Sequence, residues 1–140
     1  MAKNLVLAGI GEILLIDDLR VSESQSRENF LIEESTGPDE FVAQACITTL
    51  KEMNPMVLAQ AQTESPGIFL ARGGDLSGYG IVLCFNLDAS IIGKADEICS
   101  GSNLPIITSN CRGVSGWIFS NPQIHNYVVE VRYYIREKDI

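Results

Sequence analysis

The chain carries one histidine, four cysteines without a C-x-x-C spacing, and ten basic residues against eighteen acidic ones in 140. Each scarcity excludes a class of chemistry. His125 has no Cys or Asp pair beside it that would make a ligand set or a triad, so it reads as a surface residue. Cys46, Cys84, Cys99 and Cys111 do not form a zinc or disulfide framework, and three of them sit among apolar neighbours as buried thiols of a reducing compartment. Cys111, followed by Arg112, is the one thiol with a neighbour able to lower its pKa and is the one weighed as a nucleophile. The basic residues are scattered from Lys3 to Lys138 and form no stripe, which argues against nucleic acid as a direct partner. No run approaches the ~18 apolar residues of a spanning helix, and the start, Met1-Ala2-Lys3-Asn4, leads to no A-x-A cleavage pattern. The expectation is a soluble chain without a signal peptide.

What is present is enough for one α/β domain. The apolar fraction is 46% and the net charge is −8, which suits solubility or a basic protein partner. Residues 3 to 9 read as the last turns of a helix ended by Gly9, followed by a buried strand at about 12 to 17 that closes on Asp17 and Asp18. The polar stretch Arg20 to Asn29 reads as a crossing loop fastened by Phe30 and Leu31. Ser35, Thr36 and Pro38 signal a helix start, Phe41, Ala45, Cys46, Leu50 and Met53 give it an apolar face, and Asn54-Pro55 stops it. Met56 to Ala61 reads as a short strand, and Gln62 to Gly80 as a loop interrupted by an apolar patch at Ile68 to Ala71. Ile81 to Phe85 and Leu104 to Thr108 are buried strands flanking a helix capped by Asp88 and closed by Gly101. Trp117 to Phe119 and Tyr127 to Ile135 read as antiparallel strands at the end. The alternation predicts right-handed crossovers onto a Rossmann-like, mostly parallel sheet with helices on both faces.

Asp17-Asp18, Asn29-Phe30-Leu31, the KEMNPMV run at 51 to 57, the KADEIC helix at 94 to 99 and the G-x-x-G-x-x-F run from Gly113 to Phe119 occur in the order of the adenylating-domain family of ThiF type. That family comprises sulfur-carrier activating enzymes and the activating enzymes for ubiquitin-like modifiers. Within it, the chain most resembles the small, non-adenylating subunit of SUMO-activating enzymes.

Adenylating members carry D-x-D-x-V-x-x-S-N-x-x-R-Q-F after the second strand. Matched from Asp17, this chain keeps Asp17, Val21, Ser24 and Phe30, but has Leu19 for the ribose-binding Asp, Gln25 for Asn, Glu28 for the phosphate-binding Arg and Asn29 for Gln. The family's G-K-P-K is Gly37-Pro38-Asp39-Glu40 here, and its magnesium-binding T-D-N segment is Phe85-Asn86-Leu87. Two cations replaced by Glu28 and Glu40, with two carboxylates gone, oppose a triphosphate. The glycines of Arg72 to Gly80 precede a strand, whereas phosphate-cradling glycines follow one, so they read as a flexible loop. Asp17 and Asp18 read as caps of backbone amides at the strand end.

The resemblance implies no catalytic, cofactor or metal residues in this chain, with ATP and magnesium bound by a partner. That partner is the large catalytic subunit of a heterodimer, in nucleus and cytoplasm, with SUMO engaged indirectly and neither nucleic acid nor membrane as partners. It also implies that residues 1 to 140 form a partial domain lacking the first strand and its glycine-rich turn, which leaves the Ile13 to Ile16 strand with an unpaired edge. The alternatives are the small subunit of the cullin-modifier (neddylation) activating enzyme, a small sulfur-carrier-type adenylating enzyme, or a regulatory decoy that binds the large subunit.

Overall fold

The computed structural model describes residues 1–22 and 29–128. Its elements run α1 (Ala2–Leu7), β1 (Glu12–Ile16), α2 (Val42–Met53), β2 (Leu58–Gln62), α3 (Pro66–Ala71), β3 (Val82–Phe85), α4 (Ala89–Gly101), β4 (Ile106–Arg112) and β5 (Ser115–Asn121). The α/β class and the alternating order match the sequence reading. No helix among the described residues is long and apolar enough to cross a membrane.

The strands form two sheets where one was expected. β1 pairs in parallel with β2, and β3 pairs in parallel with β4, which pairs antiparallel with β5. Each sheet has its own core. Around the first, α2 buries Cys46, Ile47 and Leu50 with Val6 from α1 and Ala59 from β2. Around the second, α4 supplies Ala95 and Cys99 against Cys84 of β3, Leu104 and Ile106. β1 and β3 therefore each have a single ladder partner among the described residues.

Several local expectations are corrected by pairing at a distance. Ser35, Thr36 and Pro38 do not start α2, whose N-cap is Phe41 with no side-chain capping bond. The intervening chain is drawn into a ladder instead: Val21 N–H donates to Glu40 O and Val42 N–H to Leu19 O, at 2.9 Å each. Phe41 thus leaves the helical face and lies under the Arg20 guanidinium, 4.5 Å from its ring centroid. Leu31 is buried but Phe30 is exposed, with Lys3 Nζ 4.7 Å from its ring centroid, and most of the expected crossing loop before them lies outside the described residues.

The apolar patch at 68 to 71 belongs to α3, where Ser65 is the N-cap and Pro66 opens the first turn. Asp88 is the N-cap of α4, yet its side chain makes no capping bond. Gly101 lies within that helix, and the left-handed residue that follows is Asn103, at φ +51°. Gly9 does end α1, at φ +79°. β4 continues through Arg112, beyond its apolar run, because β5 pairs with it residue for residue from Asn121 to Ser115. Tyr127 and Val128 are not in a strand, and the remainder of the expected final strand lies outside the described residues.

Candidate functional site

In an open α/β sheet the chemistry sits at the carboxyl ends of the parallel strands, here the ends of β1 and β3. Asp17 follows β1 directly. Its N–H donates to Gln62 O at 3.1 Å, and its Oδ1 accepts the N–H of Leu19 at 2.9 Å. The carboxylate is therefore spent on closing the local turn, as the capping reading requires. Burial pushes the Asp17 carboxyl up, the Leu19 N–H pulls it down, and the adjacent Asp18 charge adds to the rise. Leu19 presents an exposed apolar side chain beside that turn.

Glu40 turns back to its own loop, with Oε1 accepting Gly37 N–H at 3.3 Å and its N–H donating to Gly37 O at 3.1 Å. At the end of β3, Asn86 takes a left-handed conformation, φ +53°. Its N–H donates to Ser109 O and its Oδ1 accepts Cys111 N–H, both at 2.9 Å. The Asn86 side chain thus ties β3 to β4. Glu28, Gln25 and Ser24 lie outside the described residues.

The glycine stretch at 72 to 80 is a loop of turns, as expected: Gly73 and Gly78 have positive φ, and Asp75 Oδ1 accepts Ser77 N–H at 2.8 Å. It contributes one long-range bond, from Tyr79 Oη to Glu12 Oε1 at 3.2 Å. Arg72 pairs with Glu64. His125 is exposed and stacks on Tyr127, ring centroids 6.0 Å apart. Asn29 and Asn54 act as structural clasps: Leu31 N–H donates to Asn29 Oδ1 at 3.2 Å, and Asn54 Nδ2 donates to Val6 O at 3.0 Å, joining the end of α2 to α1. Nothing in the spacing alone gives these partners, since Asn54 and Val6 are 48 residues apart.

Cys46, Cys84 and Cys99 are buried and free, and Cys111 is exposed. Burial pushes the Cys84 thiol up to about 11, helped by the neighbouring Cys99. Cys46 and Cys99 are also raised, chiefly by burial. In the native chain a maleimide or disulfide reagent at about pH 8 is expected to modify Cys111 alone. Mass spectrometry checks this, and a second modified site appearing as fast as the first would contradict the buried placement.

No family model matches the chain. It is 30% identical over 131 residues to SUMO-activating enzyme subunit 1 of Xenopus tropicalis, covering 93% of this chain and 37% of that protein. It is 32% identical over 137 residues to SUMO-activating enzyme subunit 1B-1 of Arabidopsis thaliana, covering 89% and 40%. It is 29% identical over 130 residues to the DNA damage tolerance protein rad31 of Schizosaccharomyces pombe, covering 93% and 41%. The chain thus spans about two fifths of the length of these relatives. Among solved structures, E. coli MccB with succinimide is similar at a TM-score of 0.63 and 18% identity, over 78% of this chain and 32% of that one. PaaA is similar at 0.62 and 20%, over 77% and 32%. Those identities speak to the fold alone. On an α/β scaffold similar to those of MccB and PaaA, the chain is similar to SUMO-activating enzyme subunit 1 along about nine tenths of its own length.

Proposed function

We infer that the chain serves as a non-adenylating half of a heterodimeric SUMO-activating enzyme, supporting ATP-dependent activation of the modifier by a large catalytic subunit that itself holds ATP and magnesium. The observation that carries this reading is Asn86: at the position of the magnesium carboxylate, a neutral amide is already engaged by Cys111 N–H. Asp17 and Glu40 are likewise turned onto their own backbones. The similarity to subunits named for SUMO activation supports the choice of pathway. A scaffold that keeps its strands and helices while its strand-end groups close local turns is suited to completing and positioning another subunit.

Co-expression with the large subunit of a SUMO-activating enzyme, followed by size exclusion, tests the reading. Co-elution is expected. Recovery of the chain as a monomer, or together with the cullin-modifier large subunit instead, counts against it. Independently, the isolated chain is expected to give no heat of binding on titration with ATP and magnesium. A dissociation constant at or below ~1 μM, about −8 kcal/mol, would show that the strand-end positions have been matched wrongly.

A further inference from the structure

β5 is an outer strand with nothing in its sequence to discourage a further partner. It pairs with β4 along all of Ser115–Asn121, and the described residues give it no second ladder. Beyond Asn121 the chain is tied to α4: Asn121 Nδ2 donates to Asp96 Oδ1 at 2.9 Å, Gln123 Nε2 to Ser100 Oγ at 3.2 Å, and Ile124 N–H to Asn103 Oδ1 at 3.1 Å. Edge strands are ordinarily blunted by lysine, proline or a bulge, but β5 has neither residue and its register against β4 is unbroken. Trp117, Ile118 and Phe119 are consecutive in it and 50%, 72% and 54% exposed. An exposed run of this kind, aromatic and without charge, has the composition of an interface centre.

The order of residues in β5 fits one partner in particular, a second β5. About a two-fold axis at Ile118, antiparallel pairing sets Ile118 opposite its own copy, Trp117 opposite Phe119, Gly116 opposite Ser120 and Ser115 opposite Asn121. Both aromatic pairs then lie on one face of the joined sheet, and no charge in the strand meets its like. Charges of opposite sign meet at the ends. Arg112 opposes Ser115 within the hairpin and lies on the same side of the sheet as Asp96 of α4. Because Ser115 faces Asn121 of the second copy, whose side chain holds Asp96, each Arg112 comes about two strand spacings, roughly 10 Å, from the other copy's Asn121. The arginine and aspartate side chains can span that gap. The net charge of −8 opposes self-association at long range, but screening within about 8 Å leaves the contact itself to decide.

We propose that β5 is a self-association edge: two copies of the chain pair through it, antiparallel about Ile118, and join their three-stranded sheets into one of six strands. Aromatic side chains present about 150–250 Å² each, so the exposed halves of Trp117 and Phe119, with Ile118 and the strand edge, offer roughly 400–500 Å² per copy. The total approaches the ~1,000 Å² at which an interface becomes specific, so the dimer is a weak one. The pairing is independent of the subunit reading and is tested on the chain alone.

Sedimentation equilibrium of the full chain between ~1 and ~200 μM is expected to show a reversible monomer–dimer equilibrium with a dissociation constant in the micromolar range. Ile118→Lys sets two ammonium groups across the axis and is expected to weaken the dimer at least about tenfold. Ile124→Lys, on a residue as exposed as Ile118 but off the strand, is expected to leave it unchanged. Circular dichroism establishes that each variant is folded. The register has its own readout, which also serves if Ile118→Lys does not fold. With the exposed Cys111 replaced by serine, Ile118→Cys is expected to form an intermolecular disulfide under copper phenanthroline, because residues opposite each other on paired strands lie within disulfide range. Ser120→Cys, displaced along the strand from its own copy, is expected not to. A chain that stays monomeric through ~200 μM, assembles beyond a dimer, keeps its dimer in folded Ile118→Lys, or crosslinks as readily through Ser120→Cys as through Ile118→Cys overturns the proposal.

Discussion

Leu50→Ala is expected to cost about 2–5 kcal/mol, the range for emptying a leucine site in a packed core. Leu50 is 0% exposed and lies on α2 in the cluster formed with Val6, Ile47, Val57 and Ala59. A domain holds only about 5–15 kcal/mol in all, so this one substitution removes a large share of the stability. Urea unfolding followed by circular dichroism measures it, and the midpoint should fall with little change in slope. Met56→Ala is the control: Met56 is 88% exposed, and its loss should stay within about 0.5 kcal/mol. Equal effects from the two would mean that the α2 face has been assigned to the wrong side.

Gly116→Val is expected to destabilise the β4–β5 hairpin by about 1–3 kcal/mol, the usual cost of overpacking, although valine ordinarily favours strands. The reason is space. A Cβ at Gly116 would stand 2.9 Å from the Asn110 carbonyl oxygen and 3.4 Å from Cys111 Sγ. The carbonyl belongs to the β4 backbone, which is held in register against β5 by the Asn110–Trp117 and Cys111–Gly116 pairs, so it cannot swing aside without breaking the ladder. Trp117 is the adjacent residue, and its fluorescence during denaturation follows the hairpin. Gly101→Ala, in the last turn of α4 with nothing within 4 Å of its Cβ, should be neutral or slightly stabilising. A Gly116→Val chain as stable as the parent would remove the steric argument.

The parts of this fold that were legible in the sequence are those specified locally. Glu12–Ile16 and Val82–Phe85 announce strands by short apolar runs between turns, and Ala43 to Leu50 announces a helix by the spacing of its apolar residues. The start of α2 was not legible because the Arg20–Phe41 bridge decides it, and that bridge joins residues about twenty positions apart. α3 has six residues, too few for a helical period to show, so only its apolar patch at Ile68 to Ala71 was visible within an expected loop. β4 outruns its apolar residues because β5 supplies the pairing. At the strand ends, Asp17 was readable as the close of an apolar run and Asn86 only through the family resemblance, and the Asp17 turn followed from its type. That Asn86 accepts from Cys111, 25 residues on, required the fold. The Thr108 hydroxyl, buried without a hydrogen-bond partner among the described residues, gave no sign in the sequence, since a missing hydrogen bond has no pattern in one dimension.

Because β1 and β3 each have one ladder partner among the described residues and the cores beneath them are separate, the stability of these residues is divided between two groups of atoms that share few contacts. Backbone amides in each sheet are then protected by their own half, and an opening of one half need not drag the other with it. Alternate amides of Glu12–Ile16 and Val82–Phe85 point away from β2 and β4, the strands that pair with them among the described residues. These strands should lose protection in a two-residue rhythm, one amide slow and the next fast, along stretches that are otherwise among the most apolar of the chain. Apolar sequence and backbone protection, which usually travel together, come apart at these two edges.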